Sequence, residues 1–111
     1  MLIPTMLVAL VAAQTTDWAP LQAAAQNYGM CAHQAAGKWV TSAMSTEAIV
    51  EMAMASCAAE QQNLKAVTRE TLAPLTPSKA ELDVSVERQY KQQSTKLHEM
   101  LFASLKKYRG R

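Results

Sequence analysis

Two cysteines, Cys31 and Cys57, have the widest chemistry in this sequence, since thiols form disulfides, bind metals and act as nucleophiles. They lie 26 residues apart, whereas thiol oxidoreductases use a Cys-x-x-Cys spacing in which one thiol resolves the other. In an oxidising compartment they would form one disulfide, which the loop-entropy relation values at about 3.5 kcal/mol. In a reducing cytosol they would instead be two free buried thiols.

Thioether and imidazole groups near the cysteines suggest a second chemistry, the binding of Cu(I) by soft ligands. Met30 and His33 flank Cys31, and Met54 precedes Cys57 by three positions. Methionine is also a common core residue, and a disulfide would consume both thiols, so packing is the competing interpretation. Copper binding through Met30, His33 and Met54 is therefore kept as an alternative to a structural role.

Other patterns of catalysis and cofactor binding are missing from the sequence. His33 and His98 belong to no spaced Cys/His set that would hold zinc, and the isolated glycines form no phosphate-binding loop. There is no Gly-x-Ser-x-Gly turn. Glu47, Glu51 and Glu60 have the spacing of a solvated helix face rather than of a general acid and base pair. The sequence predicts neither an enzyme nor a cofactor.

Residues 1–13 have the features of an export signal. They carry no charged side chain, and Val11 and Ala13 occupy the small-residue positions before a cleavage site. The start lacks Lys and Arg, and Pro4 lies early, so the competing interpretation is the apolar beginning of a helix. The signal interpretation predicts a periplasmic or secreted protein with one mature domain at residues 14–111. The apolar run is too short to span a bilayer, which needs about 20 residues.

Proline and capping residues divide the remaining chain into three stretches of helical periodicity, with almost no strand alternation. The first helix is expected from Trp18 to Trp39, with both tryptophans and Tyr28 on its apolar face. The second is expected to begin within residues 41–46, which hold several N-cap candidates, and to end near Leu72. Alanine outnumbers Leu, Ile, Val and Phe together in this part of the chain, so we expect a thin core of closely packed helices.

The third helix is expected to begin at Ser78, which forms a capping-box pattern with Glu81, and to continue to the C-terminus. Its residues would span roughly 45 Å, more than either partner helix covers, so its end would project or pair with another chain. The cysteines are centred on residue 44, between the first two helices, which predicts that these helices are antiparallel. The predicted fold is all-α, with three helices: a disulfide-linked hairpin and a long C-terminal amphipathic helix.

Charge is distributed unevenly along the chain. Residues 14–77 hold three basic and five acidic side chains, whereas residues 78–111 hold eight basic and four acidic ones. The last six residues contain four cations and no acid. Two interpretations explain these cations: contact with an anionic surface, or stabilisation of the negative end of a helix. In an exported protein, nucleic acid is not an expected partner. The four cations are Lys106, Lys107, Arg109 and Arg111.

Roughly the first seventy residues resemble a loose class of short exported bacterial proteins of unknown function, which carry paired cysteines on neighbouring helices. The resemblance rests on the leader, on Tyr-Gly-Met-Cys at residues 28–31 and on Ser-Cys-Ala-Ala-Glu at residues 56–60. It implies an exported helical hairpin with a disulfide, and it implies no activity and no functional residue.

These observations predict a non-enzymatic periplasmic or secreted protein that acts through protein–protein interaction or self-association. The missing catalytic set and the long amphipathic third helix are the reasons for this prediction. The sequence identifies no partner-binding residue. The alternative function is binding of a soft metal, copper, near the cysteine pair.

Overall fold

The structure, a computed structural model, describes residues 16–110, so the expected signal peptide at residues 1–13 and Arg111 lie outside the described residues. Within the described range the chain forms four α-helices, one 3-10 turn and no strand. The all-α prediction is confirmed, whereas the predicted number of three helices is wrong. The elements are α1 (Ala19–Gly37), α2 (Thr46–Ala55), α3 (Ala58–Leu72), the 3-10 turn (Ala73–Leu75) and α4 (Lys79–Arg109).

Serine side chains begin two of the helices, as the sequence predicts. Ser45 Oγ accepts a hydrogen bond from Ala48 N at 3.1 Å at the start of α2. Ser78 Oγ accepts one from Glu81 N, also at 3.1 Å, at the start of α4. Each bond satisfies a backbone donor that a helix N-terminus leaves unpaired, and such a cap stabilises a helix by about 1 kcal/mol.

The second predicted helix is interrupted at Ser56 and Cys57 and therefore consists of α2 and α3. The Cys57 backbone, with φ −106° and ψ 43°, leaves helical geometry. Ser56 Oγ donates a hydrogen bond to Ala53 O at 2.7 Å. Gln61 Nε2 donates to Met54 O at 2.7 Å, so side chains pair with carbonyls at the end of α2. The prediction of one continuous helix is therefore wrong. The interruption contains neither Pro nor Gly, the residues that signal a helix break in a sequence, and is accompanied instead by these side-chain contacts.

The disulfide between Cys31 and Cys57 joins the middle of α1 to this interruption, with Cα atoms 6.1 Å apart. The predicted pairing is confirmed, and α1 packs against both α2 and α3. The core draws on all four helices, and small side chains let their backbones approach closely. Its buried alanines within the described range are Ala24, Ala32, Ala36 and Ala53.

The last helix, α4, packs along α3 and along α2, so the two shorter helices together cover more of it than either does alone. Its final turn is held by Arg109, which donates to Ser42 O at 3.0 Å and to Met44 O at 2.7 Å. The same guanidinium donates to Thr46 Oγ1 at 3.2 Å. The expectation that the end of the third helix projects is therefore wrong, because α2 lies beside it and the segment before α2 binds its arginine.

Replacing Arg109 with alanine is expected to lower the free energy of unfolding by about 1–2 kcal/mol, because three charge-assisted hydrogen bonds disappear and two carbonyls lose a donor. Amide hydrogen exchange is expected to accelerate in the last turns of α4 and in residues 42–46. Lys107→Ala is the control, since that lysine is exposed on the same turn. Equal losses of stability in the two variants would show that Arg109 does not hold the helix end.

Two aromatic side chains expected in the core lie at the surface instead. Trp18 is 44% exposed and Trp39 is 41% exposed, because both stand where α1 begins or ends and the chain turns. Tyr108 on α4 is 64% exposed. Tyr28, from the middle of α1, is only 2% exposed, so that part of the expected apolar face is confirmed.

Candidate functional site

An apolar groove lies between α1 and α4, because both helices pack against α3 and contact each other far less. The fully buried Leu64 of α3 forms the floor of this groove. The groove encloses about 520 Å³, a volume that accommodates several side chains of a partner. Its walls include Ala25, Gly29, Met30 and His33 from α1 and Gln93, Lys96, Leu97 and Met100 from α4.

Two methionines make the groove an exposed apolar surface. Met30 is 60% exposed and Met100 is 57% exposed, although both line the groove. Covering such side chains removes apolar area from water, at roughly 25 cal/mol per Å². Methionine is also flexible and polarizable, and is frequent at surfaces that bind partners of varied shape. The groove therefore has the composition of a binding surface for apolar side chains.

The charge at the groove is positive. Lys96 is its one charged lining residue, and the described lining contains no Asp or Glu. His33, also in the wall, donates from Nδ1 to Gly29 O at 2.8 Å. A partner with acidic side chains beside its apolar ones would therefore meet no like charge in the lining.

The groove continues toward the start of α1. A second hollow of about 500 Å³ shares Ala25, Gln26 and Gln93 with the groove and reaches Trp18. Its amide side chains offer hydrogen-bond donors and acceptors next to the apolar surface. The two hollows are therefore neighbours along one side of α1.

No known family model, curated protein or solved structure matches this chain. The function of the groove is therefore argued from its own shape, composition and charge.

Beneath the groove, the Tyr28 hydroxyl accepts a hydrogen bond from Gln61 Nε2 at 3.1 Å. The same amide donates to Met54 O, so Gln61 links α1, the end of α2 and the start of α3. Burial raises the pKa of Tyr28 above its ordinary value, and the neighbouring Tyr90 phenol raises this pKa further. A tyrosine that stays neutral in this way acts as a hydrogen-bonded support for the three helices.

Stability is expected to fall at alkaline pH because of Tyr28. Below pH 10.0, the ordinary tyrosine pKa, this phenol is neutral in folded and unfolded chains and has no effect. Above it the unfolded chain releases the proton while the folded chain retains it, so about 1.4 kcal/mol is lost per pH unit up to the folded pKa. The free energy of unfolding of Tyr28→Phe, measured in denaturant from about pH 8 to about pH 11, on both sides of the usual phenol pKa, should decline less steeply than that of the wild type. An equally steep decline in Tyr28→Phe and in the wild type would contradict this prediction.

The structure brings together two of the three proposed copper ligands. Met30 and His33 both line the groove, whereas Met54 packs against the core below the disulfide and does not line it. Both cysteines are in the disulfide, so neither offers a thiolate in this form.

The structure gives Glu47, Glu51 and Glu60 three different environments. Glu47 accepts a hydrogen bond from His98 Nε2 at 2.7 Å, which ties α2 to α4. Glu51 is exposed. Glu60 is half-buried and its carboxylate lies within 4.8 Å of both Cys31 Sγ and Cys57 Sγ. The proximity of Glu60 to the cysteines was not predicted from the sequence, although the i, i+3 spacing of Cys57 and Glu60 was the signal for it.

Fewer of the C-terminal cations are available to contact an anionic surface than the sequence suggests. Arg109 is half-buried and engaged with residues 42–46, while Lys106 and Lys107 are exposed. Lys106 Nζ lies 6.0 Å from the centre of the Phe102 ring, at the outer limit of a cation–π contact. Among the described residues, no helix has both the length and the apolar character needed to cross a bilayer.

Proposed function

We propose that this protein is a non-enzymatic binding protein whose α1/α4 groove receives an amphipathic helix of a partner protein with acidic side chains beside its apolar stripe. The observation that carries the proposal is the groove itself: an apolar channel with exposed Met30 and Met100 in its walls and Lys96 as its charged lining residue. The proposal keeps the protein–protein interaction expected from the sequence and assigns it to a surface.

A helix is the occupant that suits the groove best. The groove lies between two helices and above a third, so an added helix would complete a four-helix arrangement around Leu64. Helices bind such grooves with apolar side chains at positions i, i+3, i+4 and i+7. The groove and the hollow toward Trp18 follow the length of α1, which gives room for several such anchors.

Acidic flanks follow from charge complementarity. Lys96 lines the groove, and Arg88 and Lys91 lie with it along a neighbouring hollow of α4. That hollow also contains one acid, Glu99, so its three cations leave it net positive. A carboxylate of the partner would gain from these cations, whereas a lysine at the same place would be repelled. Acidic side chains therefore favour binding and set its orientation.

Export remains part of the proposal. The apolar leader at residues 1–13 is expected to direct the chain to the periplasm or outside the cell, where a disulfide persists. The Cys31–Cys57 bond is compatible with such an oxidising compartment. The partner helix would then belong to another exported protein or to the outer part of a membrane protein.

The binding test uses a labelled helical peptide about as long as α1, with leucines on one stripe and glutamates beside them. Fluorescence anisotropy is expected to show saturable binding, and a matched peptide with lysines in place of the glutamates should bind about fivefold more weakly. The Lys96→Glu variant should reduce or reverse this preference. Lys79→Glu, a charge reversal at an exposed residue outside the groove and its neighbouring hollows, is the control.

A groove-filling variant separates specific binding from surface adhesion. In Gly29→Leu the new Cβ would stand 3.7 Å from Leu97 Cδ1, and the remaining side chain would enter the groove. Gly37→Leu is the matched control, because nothing lies within 4 Å of a Cβ there. Binding is expected to fall more than tenfold only in the first variant. Equal binding by both would contradict the proposal, and a groove-dependent dimer in light scattering would replace the partner with a second copy.

A further inference from the structure

We propose that the Cys31–Cys57 pair, once reduced to two thiols, forms with Glu60 a binding site for one zinc ion. In the disulfide form the pair joins α1 to α3, and in the dithiol form the metal would make the same connection. This site is separate from the groove, so it neither supports nor depends on the proposed binding of a partner helix.

The geometry of three side chains carries this inference. The two sulfurs and a Glu60 carboxylate oxygen all lie within 4.8 Å of one another. Two thiolates on a tetrahedral zinc lie about 3.8 Å apart, given Zn–S distances of about 2.3 Å. After the S–S bond is broken, rotation of each side chain about its Cα–Cβ bond supplies this separation across Cα atoms 6.1 Å apart. From a distance of up to 4.8 Å, the Glu60 oxygen has to move toward the two sulfurs by at most about 1 Å to lie near 2.1 Å from a zinc ion bound between them.

The chemistry of the donors favours zinc. Thiolates are soft ligands, a carboxylate is a common third ligand of zinc, and tetrahedral coordination leaves one position for water. Two thiolates and a carboxylate place three negative charges together, which a divalent cation counterbalances. Cys57 is also the N-cap of α3, and the positive end of a helix stabilises a thiolate.

The site has an entry path from solvent. Cys57 is fully buried, but Cys31 and Glu60 are half-buried and line a pocket of about 420 Å³. Amide side chains of Asn27, Gln34 and Asn63 stand around this pocket. They offer hydrogen bonds to a metal-bound water or to the second oxygen of Glu60, the kind of support that metal ligands require.

The redox step balances as ordinary thiol–disulfide exchange. A dithiol reductant attacks the sulfur of Cys31, the half-buried and thus more accessible residue of the pair, and Cys57 leaves as a thiolate. The second thiol of the reductant then closes its own disulfide, so two electrons and two protons pass to the protein and two thiols result. Zinc binding displaces one proton from each thiol. In the reverse exchange, the disulfide form of the reductant accepts the two electrons, the Cys31–Cys57 bond forms again and the metal is released.

Calorimetric titration with Zn²⁺, performed on reduced and on oxidised protein without oxygen, tests the site. The reduced protein is expected to bind one Zn²⁺ and the oxidised protein none, and Co²⁺ should give thiolate charge-transfer absorption only with reduced protein. Glu60→Gln is expected to weaken Zn²⁺ binding by about tenfold or more. Glu70→Gln, the same change at an exposed position of α3, is the control and should bind as the wild type does.

Reduction also weakens the fold, so helicity is followed by circular dichroism in the same samples. If the reduced chain unfolds, Zn²⁺ is expected to restore helix to it, and to do so at lower concentration in Glu70→Gln than in Glu60→Gln. The proposal is overturned by reduced protein that gains neither thiolate absorption nor helix with the metals. It is equally overturned by indistinguishable Zn²⁺ affinities of the two glutamine variants.

Discussion

Replacing both Cys31 and Cys57 with alanine is expected to lower the free energy of unfolding by about 3.5 kcal/mol. The bond closes a ring between residues 26 apart and so restricts the unfolded chain, which makes the folded state relatively more stable. The core is thin, because four of its buried side chains are alanine, and we therefore expect the total free energy of unfolding to be small. For a chain of this size the midpoint of thermal unfolding should fall by about 15–25 °C.

Guanidinium unfolding of the double alanine variant, compared with oxidised and reduced wild type, checks this prediction. The reduced wild type should resemble the variant, because it lacks the bond but keeps every other side chain. Alanine is preferred to serine at residue 57, since that position is fully buried and a hydroxyl there would add a separate cost. A difference below about 1 kcal/mol between the oxidised and bond-free proteins would contradict the expectation.

Replacing Leu64 with alanine is expected to lower the free energy of unfolding by about 3 kcal/mol, within the usual range of 2–5 kcal/mol for buried leucines. Leu64 is fully buried between α1 and α4 and forms the floor of the groove. Its loss removes apolar contacts from three helices and opens a cavity. Because the groove lies directly above, this cavity is expected to join it and admit water, which limits recovery by collapse.

Leu75→Ala provides the comparison, because Leu75 lies in the 3-10 turn and is 52% exposed. That change is expected to lower stability by less than about 0.5 kcal/mol. Both variants are measured by denaturant unfolding with the disulfide intact. Similar losses at residues 64 and 75 would mean that Leu64 is not the packing centre of α1, α3 and α4.

The features that local sequence determines were predictable. Ser45 and Ser78 are capping residues whose partners lie three positions away, so the starts of α2 and α4 follow from short segments. The Cys31–Cys57 bond followed from the only pair of cysteines and from the symmetry of the hairpin about residue 44. The all-α fold followed from alanine content and periodicity.

The features that depend on distant residues were not predictable from a single sequence. The interruption at Ser56 and Cys57 lies in a segment with good helix propensity, and its contacts involve Gln61 and the disulfide. Arg109 looked like one cation of a basic tail, because its acceptors lie 63 to 67 positions earlier in the chain. The groove depends on the distance between α1 and α4, which no periodicity encodes.

The site was predictable only in part for the same reason. Met30 and His33 were noted because they stand beside Cys31, whereas Met100 and Lys96 come from a helix that no local signal places next to α1. Glu60 was read as a surface residue from its polar neighbours. Its position beside the sulfurs depends on the fold of α1 against α3.

The position of the disulfide also divides the chain into a covalently closed part and an open part. A proteolytic cut in the segment at residues 38–45 falls inside the ring, so the two fragments would remain one molecule until the bond is reduced. A cut at residues 73–78 falls outside it and would release α4 as a separate peptide. The helix α4, which forms one wall of the groove, is thus held covalently to the helices before it by its peptide linker alone.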